Sequence, residues 1–149
     1  MFHDLDTQLG FSPLDRDHEE LLRLACLLED PLLDDAPQEE ICKRLTELTE
    51  FTGHHFRREE HYMEATGYPG LDAHRREHSE ILEWLLHLCM QMPDTRCTSK
   101  QLSEKIVAVL VAWIGAHLET FDSALLEFMR SQRDQFQSGR NEGTVLTTF

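Results

Sequence analysis

The sequence predicts an all-α fold, an antiparallel up-and-down four-helix bundle, and three observations carry that expectation. Glycine and proline are sparse, 7 and 5 in 149 residues, which disfavours a fold of many short strands and turns. Apolar residues recur at helical spacing through four segments, and those segments are separated by short stretches rich in helix breakers. Each of the four apolar stripes is also interrupted by histidine, which places one polar cluster at the centre of the expected bundle.

Ser12-Pro13-Leu14-Asp15 reads as the start of the first helix, with Ser12 as N-cap, proline at the first helical position and an acid in the first turn. Leu14, His18, Leu21, Leu22, Ala25 and Leu28 follow as its buried stripe. Pro31 to Pro37 breaks the pattern, and Asp35 with Gln38 has the spacing of a capping box that would open the second helix. That helix carries Ile41, Leu45, Leu48, Thr52, His55, Glu59 and Tyr62, and Gly67-Tyr68-Pro69-Gly70 ends it. The third presents Leu71, His74, His78, Ile81, Leu85, Leu88 and Met92 before Pro93. Thr98 and Gln101 form a second capping-box pattern, followed by Leu102, Ile106, Val109, Trp113, His117, Phe121, Ala124 and Phe128. Residues 1–130 are thus expected to form the bundle. Residues 131–149, rich in Gln, Ser, Gly and Thr, are expected as a flexible tail or a fraying extension of the last helix, where a partner protein could dock.

A chain of this length supports one domain with a single core. The formal net charge of -14 repels nucleic acid and anionic lipid, so neither is expected as a partner. No apolar run reads as long enough to span a bilayer, so no membrane insertion is expected. The first residues lack the basic and apolar runs of a signal peptide, which leads to the expectation of a cytoplasmic protein. Cys26, Cys42, Cys89 and Cys97 are far apart and form no C-x-x-C pair, so they read as small core hydrophobes.

The histidines decide the chemistry. Of nine, five fall on the stripes (His18, His55, His74, His78 and His117), with the carboxylates Glu59 and Asp122 beside them. Such groups are costly to bury unless paired or bound to metal. His55 and Glu59 are four residues apart, as are His74 and His78, so each pair projects from one helix face and can chelate one ion. Asp122 lies five after His117, turned roughly 140° away at about 3.6 residues per turn. It must reach the centre from the flank, a position suited to bridging two ions, or the helix must bulge. His3, His54, His61 and His87 fall off the stripes and read as surface residues. Seven ligands exceed the tetrahedral shell of one structural zinc, and the nitrogen-rich set does not suit magnesium or calcium. Iron, manganese and zinc pairs all remain open on ligand softness.

These residues resemble the hemerythrin family, and in particular its single-domain bacterial members. The resemblance rests on Asp15-Arg16-Asp17-His18, on His55-Phe56-Arg57-Arg58-Glu59-Glu60, on Gly67-Tyr68-Pro69 followed by His74 and His78, and on Trp113-Ile114-Gly115-Ala116-His117 with Asp122. It covers about Leu9 to Phe128, and the ligand motifs occur in family order. It implies two iron ions per chain, one held by His74, His78 and His117 and the other by His18 and His55. Glu59, Asp122 and an oxo or hydroxo group would bridge them. It further implies that dioxygen binds at the two-histidine iron as a hydroperoxide, in a pocket lined by Trp113, Ile114 and Leu118. As plain core residues those three would occupy the same stripe. Phe11 stands roughly where many members carry tryptophan, and the first interhelical loop is enlarged.

The expected function is therefore reversible dioxygen binding, as carrier, store or local supply, without catalysis. A sensor of oxygen, redox state or nitric oxide acting through a partner is the second reading. A di-iron peroxidase or nitric oxide reductase is the third, with Glu60 and Tyr62 the nearest candidates for a spare acid or base.

Overall fold

The computed structural model describes residues 12–30, 34–91 and 98–142, and every regular element among them is helical. Helix α1 is Ser12–Cys26, prolonged by a tight 3-10 turn at Leu27–Glu29; α2 is Gln38–Thr66, α3 is Leu71–Gln91 and α4 is Ser99–His117. A π-helical turn, Leu118–Asp122, joins α4 without a break to α5, Ser123–Glu142, so the fourth pillar of the bundle is one long helix.

Helix ends follow local chemistry, with one exception. Thr98 closes its capping box: its hydroxyl accepts from the Gln101 N–H at 3.2 Å, and the Gln101 amide oxygen accepts from the Thr98 N–H at 3.1 Å. Gly67 ends α2 at φ 66°, and the N–H groups of Gly67 and Tyr68 return to the carbonyls of Glu64 and Met63, a Schellman stop that favours glycine. The Asp35–Gln38 box expected for α2 does not form. Pro37 is the N-cap at φ -59° and ψ 146°, has no side-chain cap, and accepts from the Glu40 N–H through its own carbonyl.

Helix α2 packs along both α1 and α3, and α4 leans on the 3-10 turn that ends α1. The larger apolar cluster joins Leu24, Ala25 and Leu28 to Ile41, Leu45, Leu48 and Phe56, to Ile81 and Leu85, and to Leu102, Ile106, Val107 and Leu110. A smaller one holds Leu14, Met63 and Leu125. In sequence, every candidate ligand on α1, α2 and the last pillar falls between residues of these two clusters, so apolar packing closes the polar centre from both ends. Full burial of each such aliphatic side chain is worth about 1.5–3 kcal/mol, which is what offsets the cost of burying the polar residues between them. Two side chains lock the far end: Arg44 donates to the Leu27 carbonyl and to Asp30, and Ser103 donates to the Leu28 carbonyl.

Two further expectations shift. Val109 and Ala124 face solvent, and Leu110 and Leu125 fill the core in their place. Either neighbour fits an i,i+3/i+4 stripe, and the π turn rephases everything after His117. Helix α5 runs past Arg130 to Glu142 with residues 131–139 exposed, so the segment expected as a flexible tail or a fraying extension of the last helix continues that helix as far as Glu142. The long fourth pillar also contains an 18-residue window of mean hydropathy 1.4, long and apolar enough by composition to cross a bilayer, contrary to expectation. Its apolar face instead packs Leu102, Ile106, Val107 and Leu110 into the core. Cys26, Cys42 and Cys89 are half-buried free thiols, whereas Cys97, Met92 and Pro93 lie outside the described residues, as do His3 and Phe11.

Candidate metal centre

All seven sequence-predicted ligands converge. His18 comes from α1, His55 and Glu59 from α2, His74 and His78 from α3, His117 from the end of α4 and Asp122 from the end of the π turn; each is at most 4 % exposed. The π turn is what delivers Asp122. The Ser123 N–H bonds back to the Leu118 carbonyl, an i→i−5 closure that widens the turn and swings the fifth residue after His117 inward. The bulge, rather than a flanking approach, resolves the spacing.

The five imidazoles aim their Nε2 atoms at the two carboxylates, and each carboxylate divides its oxygens. Glu59 Oε2 lies 3.3 Å from His74 Nε2 and 3.0 Å from His78 Nε2, while Glu59 Oε1 lies 3.9 Å from His55 Nε2. Asp122 Oδ1 lies 3.1 Å from both His74 Nε2 and His117 Nε2, while Oδ2 is 3.3 Å from His18 Nε2. The centre thus splits into a three-histidine side and a two-histidine side, with one oxygen of each carboxylate on either side. Two groups, Glu59-His74-His78-His117 and His18-His55-Glu59-Asp122, each bring their ligand atoms within 4.8 Å of one another.

This arrangement fits a pair of cations. Both oxygens of Glu59 and Asp122 and the Nε2 of His78 are fully buried without a properly directed hydrogen bond. Those atoms share one small volume, and a bound ion satisfies them together where a hydrogen-bond network does not. Electrostatics point the same way. Burial, together with the nearby Asp122 charge, pushes the Glu59 carboxyl up, yet the His74 and His78 imidazoles beside it bring it down to about 2. Burial opposes Asp122 too, and His117, His18 and His74 hold it well below the usual carboxylate range. Burial lowers His74, but Asp122 and Glu59 overcome that and raise it to about 9. His78, where burial wins, is pushed down. The chain therefore keeps two buried carboxylates ionised and supplies imidazoles to balance them, as a cation does when bound.

Around the candidate ligands stands a layer of side chains that helical spacing alone does not reveal. His55 Nδ1 lies 3.2 Å from Asp17, which Arg58 grips with two hydrogen bonds. His78 Nδ1 lies 3.0 Å from Glu60, which accepts from Arg75. Phe56 stacks on the His78 ring with centroids 3.7 Å apart. Both Asp17 and Phe56 sit inside the quoted motifs, and the signal that could have found Asp17 was an acid adjoining a ligand histidine. Glu60, weighed as a spare acid or base, is engaged with His78 and Arg75; Tyr62 is half-buried beside the smaller apolar cluster. Of the expected pocket lining, Trp113 stacks on His117 with centroids 4.6 Å apart, Ile114 packs on the larger apolar cluster, and Leu118 is buried in the π turn. His54, His61 and His87 are exposed, as their spacing predicted.

Fold and site together define a four-helix bundle built around a buried, histidine-rich centre able to hold two cations. The chain matches the family model described as the hemerythrin HHE cation binding domain over residues 9–129, and it belongs to that family. A bacteriohemerythrin of Stenotrophomonas maltophilia (strain R551-3) is 24 % identical, with 97 % of this chain and 94 % of that protein covered. A bacteriohemerythrin of Pseudomonas paraeruginosa (strain DSM 24068 / PA7) is 21 % identical over 95 % of this chain and 90 % of its own length. No solved structure matches the chain significantly.

Proposed function

We propose that this chain holds two iron ions and binds dioxygen reversibly, as a carrier, store or local supply. The observation that carries this reading is the division of oxygens, in which Glu59 and Asp122 each turn one oxygen toward the three-histidine side, near two of its imidazoles, and the other toward a single imidazole of the two-histidine side. Two carboxylates so divided would suit bridging a pair of ions, and the ion held by fewer imidazoles would keep a coordination position for an external ligand. A pair of ferrous ions supplies the two electrons that dioxygen takes up on binding and returns on release.

The chain's own residues do the rest. His74, His78 and His117 hold one ion, and His18 and His55 the other, with Nε2 as donor in each. Phe56 and Trp113 press on His78 and His117, which limits ring rotation and keeps water from that side. Trp113, with Ile114 and Leu118 close to it in the chain, would supply the apolar lining of the dioxygen pocket. Glu60 is turned to His78 and Arg75, so it acts on the centre through His78.

The test is iron analysis with an optical titration of the reduced protein. Two irons per chain and a charge-transfer band that forms in air and vanishes under vacuum are the expected results. Rapid consumption of peroxide or nitric oxide, with no stable oxygenated form, defeats the carrier reading.

A further inference from the structure

The histidines of the two sides are supported unequally behind their Nε2 atoms. The Nδ1 atoms of His74 and His117 have no hydrogen-bond partner among the described residues, so ring packing orients them. His78 and His55 are backed by carboxylates that arginines hold, but the two relays differ. Glu60 offers Oε1 to His78 and Oε2 to Arg75, so imidazole and guanidinium use separate oxygens. At Asp17 one oxygen serves both: Oδ2 lies 3.2 Å from His55 Nδ1 and accepts from Arg58 Nε at 2.8 Å, while Oδ1 accepts from Arg58 at 2.6 Å. Arg58 therefore competes with His55 for the electron pairs of the same atom. Asp17 directly precedes the ligand His18 and Arg58 directly precedes Glu59, so the pair also ties α1 to α2 beside the two-histidine side.

We propose that Asp17 and Arg58 are positioning residues that set the donor strength of His55 in opposite directions. With Nε2 facing the centre, Nδ1 carries the proton and donates it to Asp17, which fixes the tautomer and makes the imidazole a stronger donor. Arg58 withdraws charge from the same carboxylate and restrains that effect. A stronger donor favours the ferric state. Because His55 is one of only two imidazoles on its side, the relay acts on half of that nitrogen set, whereas Glu60 acts on one of three. This inference rests on the paired-iron reading above.

The experiment is a redox titration of the iron-loaded protein and of D17N, R58Q and E60Q, with iron release into a chelator followed in parallel. D17N is expected to shift the midpoint potential up and R58Q to shift it down, with E60Q shifting it up by less than D17N. D17N is also expected to hold iron roughly 10–100-fold less tightly, the usual loss of affinity on removing such a partner, and to release it faster into the chelator. A merely structural salt bridge would loosen the site alike in D17N and R58Q, with both potentials moving the same way or neither moving, and that result overturns the proposal. Arg58 is half-exposed, so if D17N does not fold, R58Q decides alone: an unchanged or raised potential is fatal. Wild-type protein that fails to retain two irons refutes the function reading instead, so the two failures are distinguishable.

Discussion

Glu59 has no exposed surface, yet the groups beside it keep its carboxyl ionised, which makes it the residue on which the centre turns. It faces both histidine sets, so neutralising it as Glu59→Gln is expected to leave fewer than two irons per chain by metal analysis, with the fold retained by circular dichroism. His74→Ala is expected to lose at least one iron as well; retention of two would sink the ligand assignment. Phe56, buried and stacked on His78, acts through packing. Phe56→Ala is expected to cost about 3–5 kcal/mol in denaturant unfolding. The histidines were legible in the sequence because imidazole on an apolar stripe is anomalous. Asp17 and Phe56 were not, because an acid near a helix start and a phenyl in a core are what any helix carries.

At the scale of elements, two ends depend on single residues. Thr98→Ala removes half of a reciprocal cap and is expected to destabilise the protein by about 1 kcal/mol in chemical denaturation. Gly67 sits at φ 66° with open space around it, so Gly67→Ala meets backbone strain rather than a clash, and a loss of about 1 kcal/mol is expected by the same measurement. The π turn is the element the sequence announced only indirectly. A five-residue spacing turns two polar groups roughly 140° apart on a regular helix, so either a flanking approach or a bulge was required. Past the π turn Leu125 packs with Leu14 of α1 and Met63 of α2, contacts that spacing alone does not contain.

For the molecule as a whole, the buried charges predict how the iron-free chain responds to pH. Glu59 falls from 4.5 to about 2 on folding, so its contribution is present above about pH 4.5 and is lost as pH falls toward 2. His74 rises from 6.5 to about 9, so its contribution is present below about pH 6.5 and fades as pH climbs toward 9. Thermal melts of iron-free protein are expected to show stability lost below about pH 4.5 as Glu59 gains its proton and above about pH 6.5 as His74 loses its own, while His78, pushed down by burial, contributes above about pH 6.5 and less below it. Iron should raise the melting temperature above that baseline, since a ligand bound only by the native state stabilises it. A melting temperature indifferent to iron would mean that the ion is not held by the folded centre.

The sequence by itself determined four amphipathic helices and the candidate ligand set, because helical periodicity is local and a histidine on an apolar stripe betrays itself. It left open which oxygen faces which histidine, which carboxylates stand behind the imidazoles, and whether Val109 or Leu110 enters the core. Those depend on how four helices rotate and slide against one another until apolar area is buried and charge is balanced. Such contacts join residues far apart in the chain, so only the tertiary structure decided them.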